Sequence, residues 1–310
     1  MVEILKLLSA LPGACAQGLI WGIMAIGVYI TYRVLDLADL TVDGTMCTGG
    51  AVCIMMMLSG HSVGVSLFVA FLAGMLAGLV TGLFHTVMGI PAILAGILTQ
   101  LGLYSVNLRI MGGKANQAIS VDKYDLLVSL RWVKGVPFYK NTIFTVTIFV
   151  LIIIAILYWF FGTELGCSIR ATGCNPNMSR AQGINTDLNK ILGLMLSNGI
   201  VAFASGLYAQ YQGFADVNAG RGAIVIGLAA VIIGKVIFGK ISGNFAFKLL
   251  SVALGAIVYY LVLQVVLWLG LNANDLKLLS ALVVAVFLAI PYLKGKYFAK
   301  PVKKGGNPNA

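Results

Sequence analysis

Residues 141–161, NTIFTVTIFVLIIIAILYWFF, carry no charged side chain. An α-helix needs about 20 mainly apolar residues to cross the hydrocarbon of a bilayer, and this run meets that requirement in one piece. Outward from it in both directions lie further apolar stretches at 14–32, 44–59, 62–84, 87–107, 190–211, 223–239, 248–270 and 277–293. Those at 44–59 and 223–239 are short and interrupted by glycine, a pattern that marks discontinuous helices whose free backbone groups line a cavity rather than face lipid. The expected fold is therefore all-α: a polytopic helical membrane protein of about eight to ten transmembrane segments, with short broken helices among them.

Composition agrees. Hydrophobic residues make up 60% of the 310-residue chain and charged residues 10%, and the mean hydropathy is +0.97. A water-soluble domain carries about 45–50% apolar and about 25% charged residues, so a soluble enzyme is excluded. The net charge of +11 comes from 21 Lys and Arg against 10 Asp and Glu. No basic stretch is interleaved with stacking aromatics, so a nucleic-acid partner is not expected; the excess reads as the Lys/Arg bias of cytoplasmic loops. After Asp275 there is no acidic residue, while Lys294, Lys296, Lys300, Lys303 and Lys304 follow the final apolar stretch. The basic tail, 294–310, is expected in the cytoplasm. Counting back four crossings places residues 162–189 on the same side. Residues 108–140, with Arg109, Lys114, Lys123, Arg131, Lys134 and Lys140, fall on the other side despite their charge.

Five cysteines without a CxxC pair and two isolated histidines, His61 and His85, give no metal site, disulfide framework or proton relay. The opening MVEILKLLSALPGAC has too short an apolar stretch before Cys15 for a secretory or lipoprotein signal, so the N-terminus is expected to be retained. Gly74, Gly78 and Gly82 form GxxxGxxxG on one helix face, and Gly18 and Gly22 a shorter pair; both let a neighbouring helix approach closely.

The polar segment 163–190, TELGCSIRATGCNPNMSRAQGINTDLNK, carries the most information about function. Asn175-Pro176 reads as an N-cap followed by proline at the first helical position. Gly183 stands where a helix of about two turns, Pro176 to Gln182, would stop. Arg170 and Arg180 flank or ride on it. A short capped helix in a loop is either a solvated connector or a rigid docking element for another subunit.

This segment, as ELGCSIRATGCNPNMSRAQGIN (164–185), resembles the coupling-helix loop of ATP-binding-cassette importer permeases of the branched-chain amino acid and ribose type. Three more blocks resemble the same family in the same order: LADLTVDGTMCTGGAV (37–52), ILTQLGLYSVNLRIMGGK (97–114) and LSNGIVAFASGLYAQYQGFADVNAGRGAIVIGLAAVIIG (196–234). Together they span nearly the whole chain, so residues 1–310 are expected to form a single transmembrane permease domain. The DLTVDG and YQGFADV wording is similar to a branch often assigned to tryptophan or tyrosine. The resemblance implies a transport subunit and not an enzyme, in the plasma (inner) membrane of a bacterium. Its partners would be separate ATPase subunits under the coupling helix, an extracytoplasmic solute-binding lipoprotein, a second permease copy and the membrane lipids. Arg170, Asn175, Pro176, Arg180 and Gly183 would make the ATPase-coupling element. No cofactor of its own is expected, ATP being bound by the partner. In line with that, GKVIFGKI (234–241) nearly spells a phosphate loop, but Ile241 replaces the required Ser or Thr.

Intramembrane polar residues are costly in lipid and face a cavity or a partner. Asp39, Thr41 and Asp43 precede the short second apolar stretch, and either line a pathway where the chain is unwound or cap the next helix. Gln100, Asn107, Asn198, Gln210 and Gln264 either hydrogen-bond a passing solute or hold helices together. Asp216 and Arg221 belong to an outer loop, where contact with the binding protein and plain solvation are both open. The reading from a different class is an ion- or proton-coupled secondary transporter, which would need a buried ionisable relay; the strong central spans carry no acidic residue.

Overall fold

In the computed structural model of the chain, the residues described are 2–121, 123–133, 141–239, 243–269, 278, 280–287 and 289. The helices are α1 (Val2–Tyr29), α2 (Thr41–Leu58), α3 (Val63–Thr86), α4 (Ala92–Ile110), α5 (Thr142–Gly162), α6 (Glu164–Cys174), α7 (Pro176–Ala181), α8 (Thr186–Gln212), α9 (Ala223–Phe238) and α10 (Phe245–Trp268). A π-helical turn, Ile30–Val34, extends α1. Seven helices among the described residues are long and apolar enough to cross a membrane, and α9 is a shorter apolar helix. Of the last apolar stretch, 277–293, residues 278, 280–287 and 289 are described, and 280–287 are helical. The basic tail at 294–310 lies outside the described residues.

α8 is the hub. It starts beside α6 and α7 at one end of the bundle and finishes at the other end, where Gly213 at φ +81° closes it. There β1 (Asn116–Ala118) and β2 (Phe214–Asp216) pair antiparallel, Gln117 opposite Ala215, in a two-stranded ribbon. We call the two ends the coupling end and the ribbon end. The segment after α4 thus sits at the opposite end of the bundle from 163–185, and α5 joins the two.

Packing follows the rule for helices in lipid, with small residues inward and large ones outward. α3 buries Ser66, Ala70, Gly74, Ala77, Gly78, Thr81 and Gly82 and exposes Phe68, Leu72, Leu76 and Val80. A methyl group at Gly74 would collide with the Asn198 carbonyl, one at Gly78 would lie 2.8 Å from the Met195 Cα, and one at Gly82 3.1 Å from the Ile191 Cα. The GxxxGxxxG stripe is therefore the α3–α8 contact. Gly18 and Gly22 do the same for α1 against Ile257 and Ala253 of α10. α5 turns Val146, Val150, Ile154, Leu157 and Phe161 inward and leaves Ile148, Leu151, Ile152, Ile156 and Trp159 outside.

The structure adds a helix where the sequence suggested loop. α6 is capped by the Thr163 hydroxyl, which accepts from the Gly166 amide at 3.3 Å. It buries Ile169 and Thr172. Asn189 of α8 donates to Ser168 Oγ (2.6 Å) and Thr172 Oγ1 (2.8 Å). With two glycines and little apolar surface, this segment is helical through tertiary contact rather than through propensity.

Candidate functional site

α2 and the shorter α9 both begin inside the bundle. Asn198 lies in the middle of α8, about 18 Å from its start and about 21 Å from its end at 1.5 Å per residue. Its amide fastens the start of α2. Asn198 Nδ2 donates to Asp39 Oδ2 at 2.7 Å, and its Oδ1 accepts from Thr45 Oγ1 at 2.7 Å. The other Asp39 oxygen accepts from the Thr41 amide at 2.9 Å, which caps α2. Thr41 Oγ1 shares a 2.7 Å hydrogen bond with Thr81 Oγ1, which donates to Thr99 Oγ1 at 2.9 Å. This network ties α2, α3, α4 and α8 together, and Asp39, Thr41 and Asn198 are buried within it. From there α2 runs alongside α8 toward the ribbon end, Gly49 lying against Ala202 and Gly50 against Ser205.

After the ribbon the chain turns back into the bundle beside α2. The Cys47 thiol donates to the Val217 carbonyl at 3.0 Å and accepts from the Gly220 amide at 3.2 Å. At Gly222, φ +86°, the backbone enters α9. The Asp43 carboxylate accepts from Gly222 N and Ile224 N, each at 2.9 Å. Asp43 stands in the first turn of α2, yet it caps α9. α9 then runs antiparallel to α10, Gly234 against Ser251 and Gly255 against Ala230, toward the coupling end. α2 and α9 thus start close together and diverge to opposite ends, each with its positive N-terminus held by a carboxylate.

Between α2, α4 and this returning segment lies a cavity of about 490 Å³, lined by Asp43, Cys47, Gln100, Tyr104, Asn107 and Arg221 among others. Arg221 has no ion-pair or hydrogen-bond partner among the described residues. Asn107 is buried; its Nδ2 reaches the Gly44 carbonyl at 3.5 Å, and its Oδ1 has no partner. Arg221 also borders a second cavity, about 510 Å³, walled by Trp21, Tyr208, Tyr259 and Tyr260, with Gln17 and Gln264 on its lining.

Of the polar residues picked out in the sequence, Asp43, Gln100, Asn107 and Arg221 come together around one cavity. Asp39, Thr41 and Asn198 form the adjoining buried network. Gln210 is elsewhere: its Oε1 accepts from Leu127 N at 3.1 Å and its Nε2 approaches Cys53 Sγ at 3.6 Å, fixing the 126–133 segment to the bundle. Asp216 makes a local turn, accepting from Asn218 N at 2.8 Å in the ribbon. Arg221 is exposed in the turn that leads into α9, next to Gly222, whose amide donates to Asp43. Tyr104 and Cys47 complete the cavity wall and had no motif to mark them.

At the coupling end the capped helix is Pro176–Ala181. Asn175 Oδ1 accepts from Met178 N at 3.0 Å, and Gly183 has φ +78°. Ser179 is buried, and Met178 projects with 60% of its surface exposed. Arg180 turns back onto α8: Nε donates to Thr186 Oγ1 at 2.8 Å, and an Nη approaches Asp187 at 3.5 Å. Arg170 lies over the Phe245 ring, 5.5 Å from its centroid.

Residues 12–291 match the family described as branched-chain amino acid transport system, permease component. The chain belongs to this permease family. It is 38% identical, over 91% of both chains, to a tyrosine transport system permease protein of Clostridioides difficile. It is 26% identical over 80% of its length, and 68% of the relative's, to the fructose import permease protein FruF of Bifidobacterium longum. Among solved structures it resembles PsaBC from Streptococcus pneumoniae in complex with Fab, with a TM-score of 0.53 at 16% identity, covering 94% of this chain and 99% of that one; this likeness concerns the fold. The permease is therefore a multi-pass membrane protein and the transport subunit of an importer. Within the near-phosphate loop, Gly234 to Phe238 belong to α9 and Gly234 packs on Ser251; Lys240 and Ile241 lie outside the described residues.

Proposed function

We propose that this permease, as a pair of copies in the bacterial plasma membrane, forms the pathway of an ATP-driven importer for an amino acid, aromatic ones foremost. A separate ATPase docks at the coupling end, which faces the cytoplasm together with the C-terminal tail. An extracytoplasmic solute-binding lipoprotein docks at the ribbon end. The observation that carries this reading is α7: a six-residue helix, capped at both ends, that holds an apolar Met178 out from the bundle. The tyrosine permease relative at 38% identity supports the solute class.

The geometry also suggests how force is passed on. Arg180 is a strut between α7 and the first turn of α8. α8 carries Asn198, which holds Asp39 and the start of α2; Asp43 of α2 holds the start of α9. A displacement of α7 by a closing ATPase therefore reaches the N-termini of α2 and α9 through one continuous set of bonds. The exposed Arg180–Asp187 contact adds little stability by itself; its value is positional.

The test is a Met178→Asp variant reconstituted with the ATPase and binding protein. A charge at an exposed tip leaves the fold intact, so the variant is expected to purify as wild type but to lose ATP-driven uptake at least tenfold. Uptake at the wild-type rate would remove α7 as the docking element.

A further inference from the structure

We infer that the cavity between α2, α4 and the segment leading into α9 is a solute-recognition site within the permease itself, built for the zwitterionic head group of an α-amino acid. The inference rests on the amino-acid reading of the function and adds to it a place and a set of contacts.

The cavity, about 490 Å³, is the size of a small-molecule site. A cavity among membrane-spanning helices, walled only to fill space, would be apolar, because unpaired polar groups are expensive there; this cavity opens at the side of the bundle, where Leu101, Tyr104 and Arg221 are exposed. This one carries both signs of charge. Arg221 presents a guanidinium with no partner among the described residues. A planar cation of this kind binds carboxylates through two parallel hydrogen bonds. Asp43 presents a carboxylate that accepts from the Gly222 and Ile224 amides at the start of α9, with Ala223 beside them, and a carboxylate can accept further donors. Gln100 lines the same wall, and its side chain has no hydrogen bond among the described residues. Asn107 is fully buried, with an Oδ1 that meets no donor. An orphaned acceptor at such a depth is what an ammonium group would satisfy.

The assignment follows from these properties. The solute carboxylate pairs with Arg221, and its ammonium lies toward Asp43 and the amide oxygens of Gln100 and Asn107. Its side chain lies along Leu101 of α4. A sugar would leave the opposed charges unanswered, and an inorganic cation would be repelled by Arg221.

The experiment uses the whole permease–ATPase complex in detergent, without the binding protein, so that selectivity belongs to the permease. Tyr104, at the cavity edge and 42% exposed, is replaced in a Tyr104→Cys variant, and its maleimide modification is followed by mass spectrometry of that peptide. L-Tyrosine is expected to slow modification at least fivefold, while tyramine, which lacks the carboxylate, and 3-(4-hydroxyphenyl)propanoate, which lacks the ammonium, do not. Adding Arg221→Gln abolishes the protection, and Arg221→Lys restores part of it. Equal protection by all three compounds, or protection that survives Arg221→Gln, overturns the inference. Gln100→Leu guards against misfolding, since it removes a wall contact without touching the α9 cap: it is expected to weaken protection by L-tyrosine, and unchanged protection counts against the site. Wild-type uptake assays run in parallel separate the two claims. If ATP-driven amino-acid uptake is present while protection is absent, the site fails and the function stands. If no amino acid is taken up, the functional reading fails first.

Discussion

The Asp39–Asn198 bond joins α2 to α8 at the middle of the bundle, and a double-mutant cycle measures it directly. Asn198→Ala removes the 2.7 Å bond to Asp39, the 2.7 Å bond from Thr45 and a 3.0 Å bond to the Leu194 carbonyl. Thr45 keeps a second acceptor, the Thr41 carbonyl at 3.1 Å, so its loss is partial. The main cost is a buried Asp39 oxygen left without a donor, about 1–3 kcal/mol, with about 1 kcal/mol more for the neutral bonds. Asp39→Ala loses the same bond and the cap on α2, the latter worth about 1 kcal/mol. Each single variant therefore loses about 3 kcal/mol, but the shared bond is counted in both. The double variant should lose about 4 kcal/mol rather than about 6, a coupling of about 1–3 kcal/mol. Unfolding of the purified permease by SDS in mixed micelles reads all four corners of the cycle. Additivity within about 0.5 kcal/mol would mean that the two residues act independently, and the proposed linkage from α8 to α2 would fail at that joint.

Three further outcomes follow from the same geometry. Gly78→Leu forces side-chain atoms into the Leu194–Met195 backbone, so α3 and α8 separate at a cost of about 1–3 kcal/mol; Gly102→Ala, where nothing lies within 4 Å, leaves the melting temperature within a degree or two or raises it. Ala181→Pro breaks α7 and costs its helix about 3 kcal/mol. ATP hydrolysis by the assembled complex should then persist while uptake falls, as seen by assaying both in one vesicle preparation. Asp43→Asn keeps one acceptor for the α9 amides but replaces the second carboxylate oxygen by an N–H₂ donor; uptake should fall well below wild type with the protein still folded, and Asp43→Ala should also lower thermal stability.

The sequence spoke most clearly where the physics is local. The α7 helix was legible from Asn175, Pro176 and Gly183 because capping involves neighbours in the chain, and the observed helix ends one residue short of the expected Gln182. The short α9 was legible as an apolar stretch too short to span, whereas α2, read as equally short, is long enough to cross; the glycine stripe of α3 was legible as a face without side chains. What escaped was long-range. Asp43 was open to the reading of a cap for the helix it opens, yet its partners, Gly222 and Ile224, are about 180 residues away. No periodicity encodes that pairing. Arg221 was legible as a loop residue, and it stands exposed in a turn; that this turn folds back beside α2 is long-range and invisible to hydropathy. α6 was hidden because Ile169 and Thr172 gain their burial from α5 and α8, while the segment's own composition is polar.

The central claim, that this permease moves its solute by ATP-driven coupling through α7, is tested most directly by uptake into proteoliposomes. Permease, ATPase and binding protein are reconstituted together, with ATP sealed on the side of the coupling end and labelled L-tyrosine added outside. The account predicts accumulation that requires ATP, requires the binding protein and disappears with Met178→Asp. Accumulation by the permease alone, driven by a proton or sodium gradient without ATP, would contradict it.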